Sequence, residues 1–200
     1  MMRGRRGIIA AGAALAGCSV LPARPYEEVR LWPLTVSRPR ALPRDPHGPI
    51  LLVRRLEAGP GLETAFLRSR AADGSVTVAH YEAWDLPPAQ GVAESLRLWL
   101  EQCGHFAAVV APGSRATADY TLEGELTRFI ALPAEGRAEI ALSVVMFKEV
   151  DFHATPVLQT EFASTATLAG AAAPEIAGAL TMATASVFAD IESAIVRATG

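Results

Sequence analysis

Apolar and polar positions divide the chain into short extended runs and two helical ones. Ile50 to Leu56 is a mostly apolar run of strand length, closed by the turn residues Gly59-Pro60-Gly61. Thr64 to Arg70 and Val76 to Tyr81 are two further strand-like runs, and Asp73-Gly74 between them is a hairpin turn pair. The pattern then changes period. Val92, Leu96, Trp99, Leu100 and Cys103 recur at spacings of four, three, one and three, which draws one apolar stripe down a helix. Pro87-Pro88 suits its first turn, where a missing N–H costs nothing, and Gly104 stands where a left-handed cap ends a helix. Burying Val92, Leu96, Trp99 and Leu100 contributes roughly 6–12 kcal/mol at most, so this helix belongs to the core.

Beyond it, Phe106 to Val110 restarts as an apolar strand, and Gly113 to Thr117 is a loop. Tyr120, Leu122, Gly124 and Leu126 alternate with Thr121, Glu123, Glu125 and Thr127, the period of a half-buried strand. Ala138, Ile140, Leu142, Val144 and Met146 repeat the alternation after a turn at Ala134 to Gly136, and Val157 to Thr167 completes a meander. The last element runs from about Pro174 to Thr199, rich in Ala, with Ile176, Leu180, Ala183, Val187, Ile191 and Ile195 on one stripe. One-sided alternation predicts a mostly antiparallel sheet with a wet face. Two striped helices on its other face give an α/β (α+β) two-layer sandwich.

The N-terminus changes the picture. Arg3, Arg5 and Arg6 precede the short apolar run Ile8 to Leu15, too short for a bilayer span and fit for a secretory signal. The run ends in Leu15-Ala16-Gly17-Cys18, which resembles the bacterial lipobox. Small residues let a peptidase reach the bond after Gly17, and the Cys18 thiol would take the lipid. Two or more acyl chains anchor stably where one does not. The expected organisation is a signal peptide over 1–17, a lipidated Cys18 with a Pro/Arg-rich tether to residue 48, and a domain over 49–200. Ser19 follows the cysteine in place of the Asp that retains lipoproteins at the inner membrane, so the expected location is the periplasmic face of the outer membrane. Within the tether, Val29 to Leu34 alternates weakly, as an edge strand would.

With residues 1–17 removed, 15 Lys+Arg face 21 Asp+Glu, a net charge of −6. A mildly acidic body excludes a nucleic-acid-binding reading, which needs a basic face. Cys103 is then the single remaining thiol, so no internal disulfide forms, and its place on the stripe predicts burial. No active-site constellation emerges. His47, His80, His105 and His153 lack ligand spacing, and no HExxH, Gly-x-Ser-x-Gly or phosphate loop occurs. Glu123 and Glu125 share one side of a strand, where carboxylates are ordinarily just solvated. The chain is read as no enzyme and as needing no metal or cofactor. Tyr81 and Trp84 are the candidate partner contacts, with Trp84 open between packing and recognition.

The strand ending in Tyr81, then Trp84, Pro87-Pro88, Leu96 to Leu100, Gly104-x-Phe106-x-x-Val109 and Ala118-Asp119-Tyr120-x-Leu122-x-Gly124-x-Leu126 together resemble the ABC-type transport auxiliary lipoproteins, over most of the chain from Leu51. That resemblance implies a non-catalytic accessory role in lipid transport. The implied partners are an MCE-domain protein and an ABC permease and ATPase, with the membrane reached through the lipid anchor; a homo-oligomer is compatible with it. A second class of reading stays beside it: a tethered carrier that itself binds a lipid or other apolar ligand.

Overall fold

The computed structural model describes residues 27–151 and 153–199. Nine strands form one sheet: β1 (Arg30–Trp32), β2 (Ile50–Val53), β3 (Glu57–Ala58), β4 (Phe66–Arg70), β5 (Val76–Trp84), β6 (Ala108–Val110), β7 (Tyr120–Leu132), β8 (Arg137–Val150) and β9 (His153–Thr167). Helix α1 (Pro88–Glu101) follows β5, and α2 (Ala173–Thr199) closes the chain. The α/β sandwich expected from the periodicity is present.

Strand β7 is the spine. One of its edges takes β2, β3 and β4 in succession, all parallel to it, and the other takes β8 antiparallel along its whole length. At 13 residues and ~3.3 Å each it is long enough for three short strands end to end. The sheet is therefore mixed rather than purely antiparallel: β1 with β5 and β2 with β6 are parallel too, whereas β4–β5 and the long ladders β7–β8 and β8–β9 are antiparallel. Alternation reports which side of a strand is wet, and says nothing of the direction of its neighbours.

Both helices cover the same face and meet there, with the Trp99 and Phe188 rings edge to face at 5.8 Å. The α1 stripe is buried as the spacing predicts, Cys103 included. Helix α2 is apolar and long enough to cross a membrane, yet half of that apolar window is buried within this domain. The other face of the sheet is wet and carries the ion pairs Arg54–Glu123 at 3.1 Å and Arg128–Glu139 at 3.8 Å. Exposed pairs of this kind stabilise by about 1 kcal/mol or less.

The Pro/Arg-rich segment departs from the expected tether. Leu34 and Val36 are buried in the core, the Ser95 hydroxyl donates to the Leu34 carbonyl at 2.8 Å, and Leu42 N–H donates to the Gln102 carbonyl at 2.9 Å. From β1 to about residue 48 the segment is a strap along the length of α1, from Gly91 to Gln102, and its two apolar residues two apart explain why it packs. Helix α1 ends at Gln102 in the right-handed region, and Gly104, two residues on, turns the chain with φ +80°; a Cβ there would stand 2.8 Å from the Pro43 carbonyl oxygen. Glycine is required by the turn and by the strap together.

Candidate functional site

Trp84 ends β5 and points inward. It is 2% exposed, and its ring lies 5.4 Å from that of Phe129 on β7. The structure therefore assigns Trp84 to packing and withdraws it as a contact residue. The sequence leaves it open between packing and recognition; a ring 45 positions later in the sequence fills the space beside it. Tyr81, three residues earlier, is half exposed. In the parallel β1–β5 register Leu31 stands beside Ala83, two residues after Tyr81 on β5, and Val29 lies two residues before Leu31. Leu31 is 62% exposed and Val29 is exposed as well. The sheet's β1 border thus carries a small apolar patch of Val29, Leu31 and Tyr81 next to the point where the chain leads back toward Cys18. Cys18, Gly17 and the signal segment lie outside the described residues.

A cleft of about 520 Å³ opens where the end of β2, the start of α1 and the loop after β6 converge. Its floor is apolar, from Val53, Leu56, Ala89 and Ala93, and its rim carries Arg54, Arg55, Glu57, Glu94 and Arg97. Most of that charge is already engaged. Arg97 holds Glu94 at 2.7 Å and Glu101 at 3.3 Å, and the hydrogen bond from Arg97 lowers the Glu94 pKa. Arg54 is turned to Glu123.

Glu192 on α2 is the polar centre that sequence reasoning missed. Its carboxylate accepts Arg38 Nε and Nη2, each at 3.0 Å, and Trp99 Nε1 at 2.6 Å. Glu192 is the main cause of the raised Arg38 pKa. The signal was present, since Glu192 adjoins Ile191 and precedes Ile195 on an otherwise apolar stripe. The position of its partner in the strap was not legible. The arrangement joins strap, α1 and α2, and all its polar groups face one another.

The remaining candidates fall apart in space. His105 Nε2 is 2.6 Å from Thr199 Oγ1, and its ring stacks edge-on to Phe106. Burial pushes the Cys103 thiol pKa up, the opposite of an activated nucleophile. Glu123 is paired with Arg54, and Glu125 is solvated. Among the described residues no three His, Cys, Asp or Glu side chains are grouped to hold a metal.

What these parts define is a mixed α/β domain whose polar clusters hold its own elements together and whose accessible features are surfaces. The family model described as ABC-type transport auxiliary lipoprotein component matches residues 33–192, and the chain belongs to that family. The match begins within the strap, in keeping with Leu34 and Val36 being part of the core. A crystal structure of a Xanthomonas campestris protein assigned to DUF330 has a TM-score of 0.68 at 20% identity, covering 86% of this chain and 93% of that one. An uncharacterised protein gives 0.61 at 17%, covering 80% and 99%. A hypothetical protein from Chlamydia trachomatis gives 0.50 at 9%, covering 75% and 99%. At such identities the likeness is one of fold. No curated protein sequence matches the chain significantly.

Proposed function

We propose that this protein is the non-catalytic lipoprotein component of an MCE/ABC-type lipid-transport system. It is held at the periplasmic face of the outer membrane through acylated Cys18 and docks on the transport machine. Family membership over residues 33–192 carries the reading. The surface supports it: Val29, Leu31 and Tyr81 form an exposed apolar patch, whereas the polar clusters are spent on internal ties. About 12 residues separate Cys18 from β1, which at ~3.3 Å per residue could span no more than about 40 Å. The domain therefore works close to the membrane that holds it, with Tyr81 on the strand that pairs with β1.

The test is affinity purification of the full chain from detergent-solubilised envelopes of its own cells. Co-purification of an MCE-domain protein with its permease and ATPase is the expected result, and Tyr81→Ala should weaken it without unfolding the domain. Recovery of stoichiometric lipid with no such partner would replace this reading by that of a carrier, with the cleft beside α1 as its site.

A further inference from the structure

Strand β9 ends the sheet. It has 15 residues and among the described residues pairs with β8 alone, so the N–H and C=O groups along its other side have no strand to meet. The borders at β1 and β6 offer three residues each. A long edge is ordinarily protected by cationic side chains, prolines, bulges or a covering segment. On β9 the pairing irregularity opposite Met146 and Phe147, and Pro156, both lie toward one end. From Val157 to Thr167 there is no proline, no Lys or Arg, and one charge, Glu161. This stretch holds three Thr with Val and Phe, residues that favour strands.

We propose that this edge is an interface with a second copy of the chain, joined antiparallel across a two-fold axis so that two sheets become one. The strand itself supplies the argument for this occupant. Antiparallel pairing of Val157–Thr167 with its own copy centres on Phe162. It sets Glu161 opposite Ala163, Thr160 opposite Ser164, Gln159 opposite Thr165, and Leu158 opposite Ala166. No like charges face each other, and the two Glu161 side chains lie diagonally, roughly 7–8 Å apart, on the wet side. Moving the axis by one residue to Glu161 would put the two carboxylates directly opposite. On the helix side, Phe162 shares a face with Leu142 through the β8 register. It packs against the core while remaining half-buried, so Phe162 of each copy would cover the other. The edge is thus self-complementary, as an isologous contact requires. Lipid anchoring, the family's hallmark, would confine copies to one plane and raise their effective concentration. The inference goes beyond the proposed transport role and does not depend on it.

The test uses the full chain in detergent and thiol cross-linking. Thr160→Cys together with Ser164→Cys should give a reducible dimer at least tenfold more abundant than either single variant, because only the pair faces across the axis. Phe162→Cys, lying on the axis, should cross-link alone. Phe162→Asp should halve the mass measured by light scattering with circular dichroism unchanged; should that variant unfold, the cysteine pair decides. A wild-type chain that is monomeric at tens of micromolar would overturn the proposal. So would Thr160→Cys or Ser164→Cys cross-linking alone as well as the double variant does.

Discussion

The indole N–H of Trp99 on α1 donates to Glu192 Oε2 on α2 at 2.6 Å, and the same carboxylate takes two hydrogen bonds from Arg38 in the strap. One acidic side chain therefore fastens three segments that the sequence keeps far apart. Glu192→Ala would leave a half-buried guanidinium and an indole donor without their acceptor. The expected loss is about 1–3 kcal/mol of stability, with faster proteolysis and amide exchange in residues 34–45 than in the sheet. Denaturant melts combined with hydrogen exchange measure both, and unchanged exchange in the strap would refute the fastening role.

Trp84 and Trp99 should behave alike. Both are buried against an aromatic partner, so each truncation to Ala is expected to cost about 3–5 kcal/mol. Tyr81→Ala should stay within about 0.5 kcal/mol, as exposed substitutions do. Equilibrium unfolding in urea separates the three. A mild effect at Trp84 would return it to the list of contact residues.

Cys103 should be inert in the native protein. Its thiol pKa is raised above the ordinary 9.0, with burial as the largest cause. A thiol reagent at neutral pH should therefore label it slowly in buffer and fully in guanidinium. The sign of the linkage follows from the direction of the shift. The neutral thiol is favoured in the fold, so its contribution is complete below pH 9 and is lost as pH rises from there through the higher folded value. Cys103→Ala should remove that alkaline component from the stability profile.

Gly104→Ala meets two obstacles, a positive φ and the strap's backbone at 2.8 Å. A cost of about 1–3 kcal/mol is expected from the strained conformation alone. A smaller loss in a variant lacking residues 27–45 than in the full chain would trace the excess to the strap.

Cys18→Ala should leave an unprocessed precursor that takes up no labelled fatty acid. Separation of inner from outer membranes tests the Ser19-based expectation for the wild type. Full processing of the variant would remove the lipid anchor from the proposed function.

The sequence by itself determined the elements and which sides of them are wet. The stripe from Val92 to Cys103 and the hairpin at Asp73-Gly74 stand where their spacing put them, and Gly104 has the positive φ expected of it, though in the turn after the Gln102 cap. These are local matters, governed by helical and strand periods and by the few residues that tolerate special backbone angles. The family resemblance was equally legible, and the family model matches residues 33–192. Only the tertiary structure decided that β2, β3 and β4 lie parallel along one edge of β7, that Phe129 closes over Trp84, and that Arg38 reaches Glu192. It also turned the expected tether into a strap, because Leu34 and Val36 found an apolar surface at α1. Periodicity tells a residue which way to face; the partner it meets there is set by packing between segments far apart in the chain, which no local pattern encodes.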